Sequence, residues 1–171
     1  MTTATATDAL TDPRRQFLGA LMLLPAPAAR AALAGMRADD FGHGMAAHVA
    51  QLAIETVAAG HAPAPVTLYT HALTTGAAPG EHRRHWLSHW LIDTYRDAPP
   101  AALGPHLKTL VLEAAWRHAV ATHARRLAQA AEDSPADVLR ELTDDTTADQ
   151  LWTRYQAACA STNPAPLRKA A

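Results

Sequence analysis

Apolar residues recur along this chain at three- and four-residue steps, and the rhythm breaks at Pro and Gly. Thr11 or Asp12 can cap a first helix that has Pro13 at its opening position. Phe17, Leu18, Leu21 and Leu24 then fall on one helical face, and Pro25 and Pro27 end the run. A short helix follows over about 28–36, carrying Leu33 and Met36. Asp39 or Asp40 is expected to cap a longer helix from Phe41 to Ala59, closed by Gly60, with Phe41, Met45, His48, Val49, Leu52 and Val57 facing inward. A Pro-rich turn spans 61–65. Thr67 is placed to cap a helix over Leu68 to Leu73 that Gly76 closes. Gly80 or Glu81 opens another through Trp86, Leu87, Trp90, Leu91 and Tyr95, which Pro99 and Pro100 stop.

The longest helical stretch runs from about Ala101 to Ala131. Leu112, Trp116, Val120, His123, Leu127 and Ala131 form one stripe along it, and Leu103, Leu107, Leu110 and Ala114 form a neighbouring stripe over its first half. Two stripes imply two partners, one from the globular part and one from elsewhere. Ser134, Pro135 and Asp137 restart a helix through Leu142, and another follows from Thr147 through Leu151, Trp152 and Tyr155. No β alternation of useful length and no internal repeat occurs, so the expected class is all-α.

Composition sharpens this picture. Roughly a quarter of the 171 residues are Ala, the best helix former, which buries little area per residue. The core must therefore rest on Phe17, Leu18, Leu21, Phe41, Val49, Leu52, Leu68, Leu87, Trp90 and Leu91. A formal net charge of −1 offers no long-range pull toward DNA or an anionic membrane. Arg83-Arg84 and Arg125-Arg126 are the densest positive pairs and read as solvated helix faces, so no strong direct DNA binding is expected. The lone Cys159 excludes an intramolecular disulfide and a multi-Cys zinc site. No apolar run is long enough to cross a membrane.

Arg14-Arg15-Gln16-Phe17-Leu18, followed by an apolar stretch and small residues around Ala32 to Ala34, also fits a twin-arginine export leader. Pro25 and Pro27 interrupt its apolar core, and the same residues make an amphipathic first helix. The helical reading and a cytoplasmic location are preferred.

Candidate chemistry is sparse. The sequence has no Gly-x-x-x-x-Gly-Lys-Ser/Thr and no Gly-Lys pair, so the backbone cradle and lysine of a phosphate loop are missing. Ser88, Ser134, Ser161 and Cys159 lack the surroundings of a nucleophile. His85 and His89 stand at i, i+4 with His82 one turn earlier, a spacing that can bring two imidazoles to one ion. The intervening residues supply no Glu and no third ligand is evident, so a small His-based metal-binding bundle is only the alternative. No catalytic residue, cofactor or metal is expected.

The ordered agreement of several weak motifs says more. Leu18-Gly19-Ala20-Leu21-Met22-Leu23-Leu24-Pro25 is followed by Asp39-Asp40-Phe41 and by Pro65-Val66-Thr67-Leu68. Trp86-Leu87-Ser88-His89-Trp90-Leu91, Asp97-Ala98-Pro99-Pro100-Ala101 and His106-Leu107-Lys108-Thr109-Leu110-Val111-Leu112-Glu113 come next, and then Arg125-Arg126-Leu127. In this order they resemble the N-terminal domain of DnaB-type replicative DNA helicases over about 13–142, without a motor domain. His106 departs from the usual Tyr, and Leu24 from the usual acidic residue.

The resemblance implies a compact multi-helix bundle followed by a long helical hairpin. It implies a non-enzymatic, replication-associated assembly module of the primosome. That module would pair as a homodimer and contact a replicative helicase, primase or loader. The expected organisation is a tail over 1–12, a globular subdomain over 13–100, a dimerising hairpin over 101–160 and a tail over 161–171. Leu112, Trp116, Val120, His123 and Leu127 are the expected interface.

Overall fold

The computed structural model describes residues 12–162. In chain order these form α1 (Pro13–Met22), α2 (Ala26–Leu33), a 3₁₀ turn (Ala38–Phe41), α3 (Met45–Ala58), α4 (Pro65–Thr74) and α5 (Glu81–Arg96). A second 3₁₀ turn (Ala101–Leu103), α6 (Gly104–Asp133), α7 (Ala136–Thr143) and α8 (Thr147–Thr162) complete them, with no strand among the described residues. The chain divides into two compact units, Met1–Val111 and Leu112–Ala171. The expected tails lie outside the described residues except for Asp12, Ser161 and Thr162.

The first unit is built around α1. The Asp12 carboxylate accepts from the Arg14 backbone N–H at 3.0 Å, and Pro13 supplies a preset φ at the first helical position. Phe17, Leu18, Leu21 and Met22 are buried, and α1 packs on α2, α3 and α5. Gly19 makes the α5 contact possible, because a Cβ there would stand 2.9 Å from the Thr94 carbonyl oxygen.

The expected helix from Phe41 begins instead at Met45. Gly42 and Gly44 adopt φ of +75° and +85°, outside helical space, and break the run. The acidic pair serves the 3₁₀ turn: Asp40 is buried and its carboxylate accepts from the Arg37 N–H at 2.7 Å. That turn seats Phe41 in the core, its ring centroid 5.9 Å from that of Phe17.

Helix α3 ends in a Schellman motif. Gly60, at φ +88°, donates to the Val57 carbonyl, and His61 donates to that of Thr56. The Arg30 guanidinium of α2 donates to the same Val57 carbonyl at 3.0 Å, placing a cation at the C-terminal end of α3. Helix α4 starts at Pro65, two residues before the expected cap Thr67, since Pro suits the first helical position. Val49, Leu52, Leu68, Leu87, Leu91, Leu107 and Val111 close the core, with Trp90 half-buried against it.

The second unit runs from Leu112 through α7 and α8. Trp116 of α6 meets Trp152 of α8, while His123, two turns further along α6, faces Asp145, just before α8. As one helix advances the other returns, so α6 and α8 form an antiparallel helical hairpin.

Candidate interaction surface

No group of three or more His, Cys, Asp or Glu side chains gathers around a common point among the described residues. The densest grouping of aromatic and charged side chains is on the hairpin.

Along α6 the stripe read from the sequence turns over the seam with α8. Leu112 is 1% exposed, Trp116 and Leu127 are half-buried, and Val120 is 41% exposed. The rings of Trp116 and Trp152 are 4.8 Å apart between centroids, and Tyr155 continues the row at 5.3 Å from Trp152. Trp152 keeps 38% of its surface exposed, so part of this aromatic edge lies open. Glu113 and Arg117, paired at 2.7 Å, stand one turn apart beside it. The aromatic row therefore has an apolar face and a charged flank, the makeup of a contact patch with a polar rim.

A polar clasp closes the other end of the hairpin. One oxygen of Asp145 accepts from the Thr147 backbone N–H at 2.9 Å and from the Thr147 hydroxyl, capping α8. Its second oxygen is 3.8 Å from His123 Nδ1 and 3.9 Å from Arg126 Nη1. The Thr147 hydroxyl bond, then the Thr147 backbone bond, hold the Asp145 carboxyl below the usual carboxylate range, and His123 and Arg126 add to this. The sequence stripe included His123 but missed Asp145, Trp152 and Tyr155. An Asp two residues before the first turn of α8 was a legible cap signal. The aromatic pairing was not, because it depends on the register between two helices.

In the first unit Arg15 has a defined task. Its Nε donates to Thr94 Oγ1 at 3.0 Å, its Nη2 stands 3.6 Å from Asp97, and its guanidinium lies 6.0 Å from the Trp90 ring centre. Of the arginine pair that also fits an export leader, Arg15 thus ties α1 to α5, while Arg14 pairs with Asp12 at 3.0 Å. Arg83 and Arg84 lie exposed at the start of α5, where Arg84 donates to the Ala78 carbonyl. His82, His85 and His89 are exposed on the same helix. No helix among the described residues is long and apolar enough to cross a membrane.

No family model matches the sequence, and no curated protein matches it either. Solved structures do. The chain is similar to the crystal structure of the N-terminal domain of DnaB helicase from Mycobacterium tuberculosis, at a TM-score of 0.62 and 19% identity. The match covers 87% of this chain and 95% of that one. The chain has the fold of a DnaB helicase N-terminal domain: an all-α bundle followed by a helical hairpin.

Proposed function

We propose that this chain is a non-catalytic assembly module of DNA replication, self-associating through its hairpin and binding a replicative helicase, primase or loader in the cytoplasm. The carrying observation is the fold, matched over nearly the whole length of the helicase's N-terminal domain. The hairpin's half-open apolar edge supports it, because large apolar side chains left partly exposed mark contact sites.

The dimer face is Trp116, Val120, His123 and Leu127, with Leu112 holding the stripe from beneath and Trp152 widening it. Aromatic side chains bury much area at small conformational cost, so Trp116 and Trp152 are the anchors. The sequence carries no phosphate loop, so the chain neither binds nor hydrolyses ATP alone. Its effect on a partner's ATPase runs through the partner's conformational equilibrium.

The test is to mix the purified chain with the host's replicative helicase and primase and follow both sedimentation and helicase ATPase. A complex, or a changed ATPase rate, that Trp116→Ala and Trp152→Ala weaken supports the reading. ATPase activity of the chain alone that survives rigorous purification contradicts it.

A further inference from the structure

The outer face of α5 contributes nothing to the core. Leu87, Leu91 and Thr94 of this helix are buried. His82, His85 and His89 project from the other side, within an arc of about 60° on an ideal helix. His85 and His89 are one turn apart, so their Cβ atoms stand about 5–6 Å from each other. Their rings already face, with centroids 4.3 Å apart and planes inclined at 63°. Both are exposed and free to rotate about the side-chain bonds. Asp93, the next acid along this face, is held by Arg96 at 3.1 Å. The other exposed neighbours on this face are Trp86 and Ile92, which are apolar, and Glu81, one turn before His85.

Two neutral imidazoles one helical turn apart can reach a common ion, the geometry used by helix-borne zinc ligands. Imidazole suits borderline divalent cations rather than magnesium or calcium, which prefer oxygen. We propose that His85 and His89 form a two-imidazole chelating site for zinc(II), or for copper(II) or nickel(II), on the open face of α5. No third side chain joins them among the described residues, so the remaining coordination positions go to water. The site is an exchangeable clamp on one helix turn. It is not a closed structural centre, and it stands apart from the self-association and partner binding proposed above.

The experiment is calorimetric titration of the untagged full chain with zinc(II), with parallel thermal unfolding. One saturable site per chain is expected, with a higher melting temperature at saturation, because a ligand that binds the folded state stabilises it. Loss even of a residue behind a metal ligand costs about 10–100-fold in affinity, so His85→Ala or His89→Ala should each weaken binding by at least about tenfold. Both sites are exposed and Ala favours helix, so the metal-free variants should melt like the wild type. His118→Ala, an exposed histidine on α6, should leave binding unchanged. Acidification should release the metal, since only neutral imidazole is a ligand. Absence of zinc binding, or binding that survives in the His85→Ala/His89→Ala double variant, overturns the proposal.

Discussion

Leu21 reaches the core from the middle of α1 at 2% exposure, among Phe17, Leu18 and Met22. Truncating such a side chain to Ala removes its transfer energy and leaves a cavity, costing about 2–5 kcal/mol, a large share of a small domain's stability. Leu21→Ala should therefore lower the melting temperature by many degrees, and an unchanged transition would remove α1 from the core. Gly19→Ala makes a sharper test. Ala favours helix by about 1 kcal/mol over Gly, yet its Cβ would stand 2.9 Å from the Thr94 carbonyl oxygen and 3.2 Å from Ala98, both backbone-anchored. Neither can yield cheaply, so the variant should be destabilised by about 1–3 kcal/mol in urea unfolding. A gain in stability would mean that α1 and α5 are further apart.

His48 sets a pH dependence at the same scale. Burial, then the nearby Arg83 guanidinium, hold it below the ordinary imidazole value, against the pull of Glu55. The unfolded chain then takes up the proton more readily than the folded one. Stability from this group is full above about pH 6.5 and falls as the pH drops below that. His48→Gln should flatten the urea midpoint between about pH 7 and pH 5; a slope equal to the wild type's would assign the effect elsewhere. These residues differ in legibility. Leu21 declares itself by helical spacing, while the close approach at Gly19 depends on a residue 75 positions away and leaves no local mark.

At the scale of elements, helix identity was legible from the apolar rhythm, and helix ends were legible only where the cap chemistry was local. Asp12 with Pro13 and the Gly60 terminator stand where their sequence signals place them. Asp39 and Asp40 misled, because an acid before an apolar run caps a 3₁₀ turn as readily as an α-helix. The two glycines after Phe41 decide between these by their left-handed backbone. The helical reading of Arg14-Arg15 agrees with α1, but the spacing of the pair does not reveal that Arg15 reaches Thr94 of α5.

The clasp at Asp145 carries a prediction for α8. Asp145→Ala should remove the cap and speed amide exchange in the first turn of α8. Asp145→Asn, which can still accept from Thr147, should keep that turn protected while losing the attraction to His123 and Arg126. Equal exchange in all three proteins would show that the first turn of α8 is held by something other than this side chain.

At the scale of the molecule, the order of elements was legible where no single motif was. Each match, from the Leu18 to Pro25 run through the Asp39-Asp40-Phe41 step to the long helix from His106, is weak alone. Their sequence along the chain follows the fold, and the fold is matched over 95% of the helicase's N-terminal domain at only 19% identity. The periodic stripe on α6 was legible too, but the intrachain cover that α8 gives it was not. Trp116 is part-covered by Trp152, and a single chain's spacing cannot reveal a partner helix's register.

What remains open on that edge is the basis of the assembly reading, and sedimentation tests it most directly. The wild-type chain, of 18.2 kDa, should sediment at rising concentration as a species of twice that mass. Trp116→Ala, which removes an aromatic anchor, should weaken dimerisation by about 2 kcal/mol or more, roughly thirtyfold. A wild-type chain that stays monomeric at the highest attainable concentration would contradict the account.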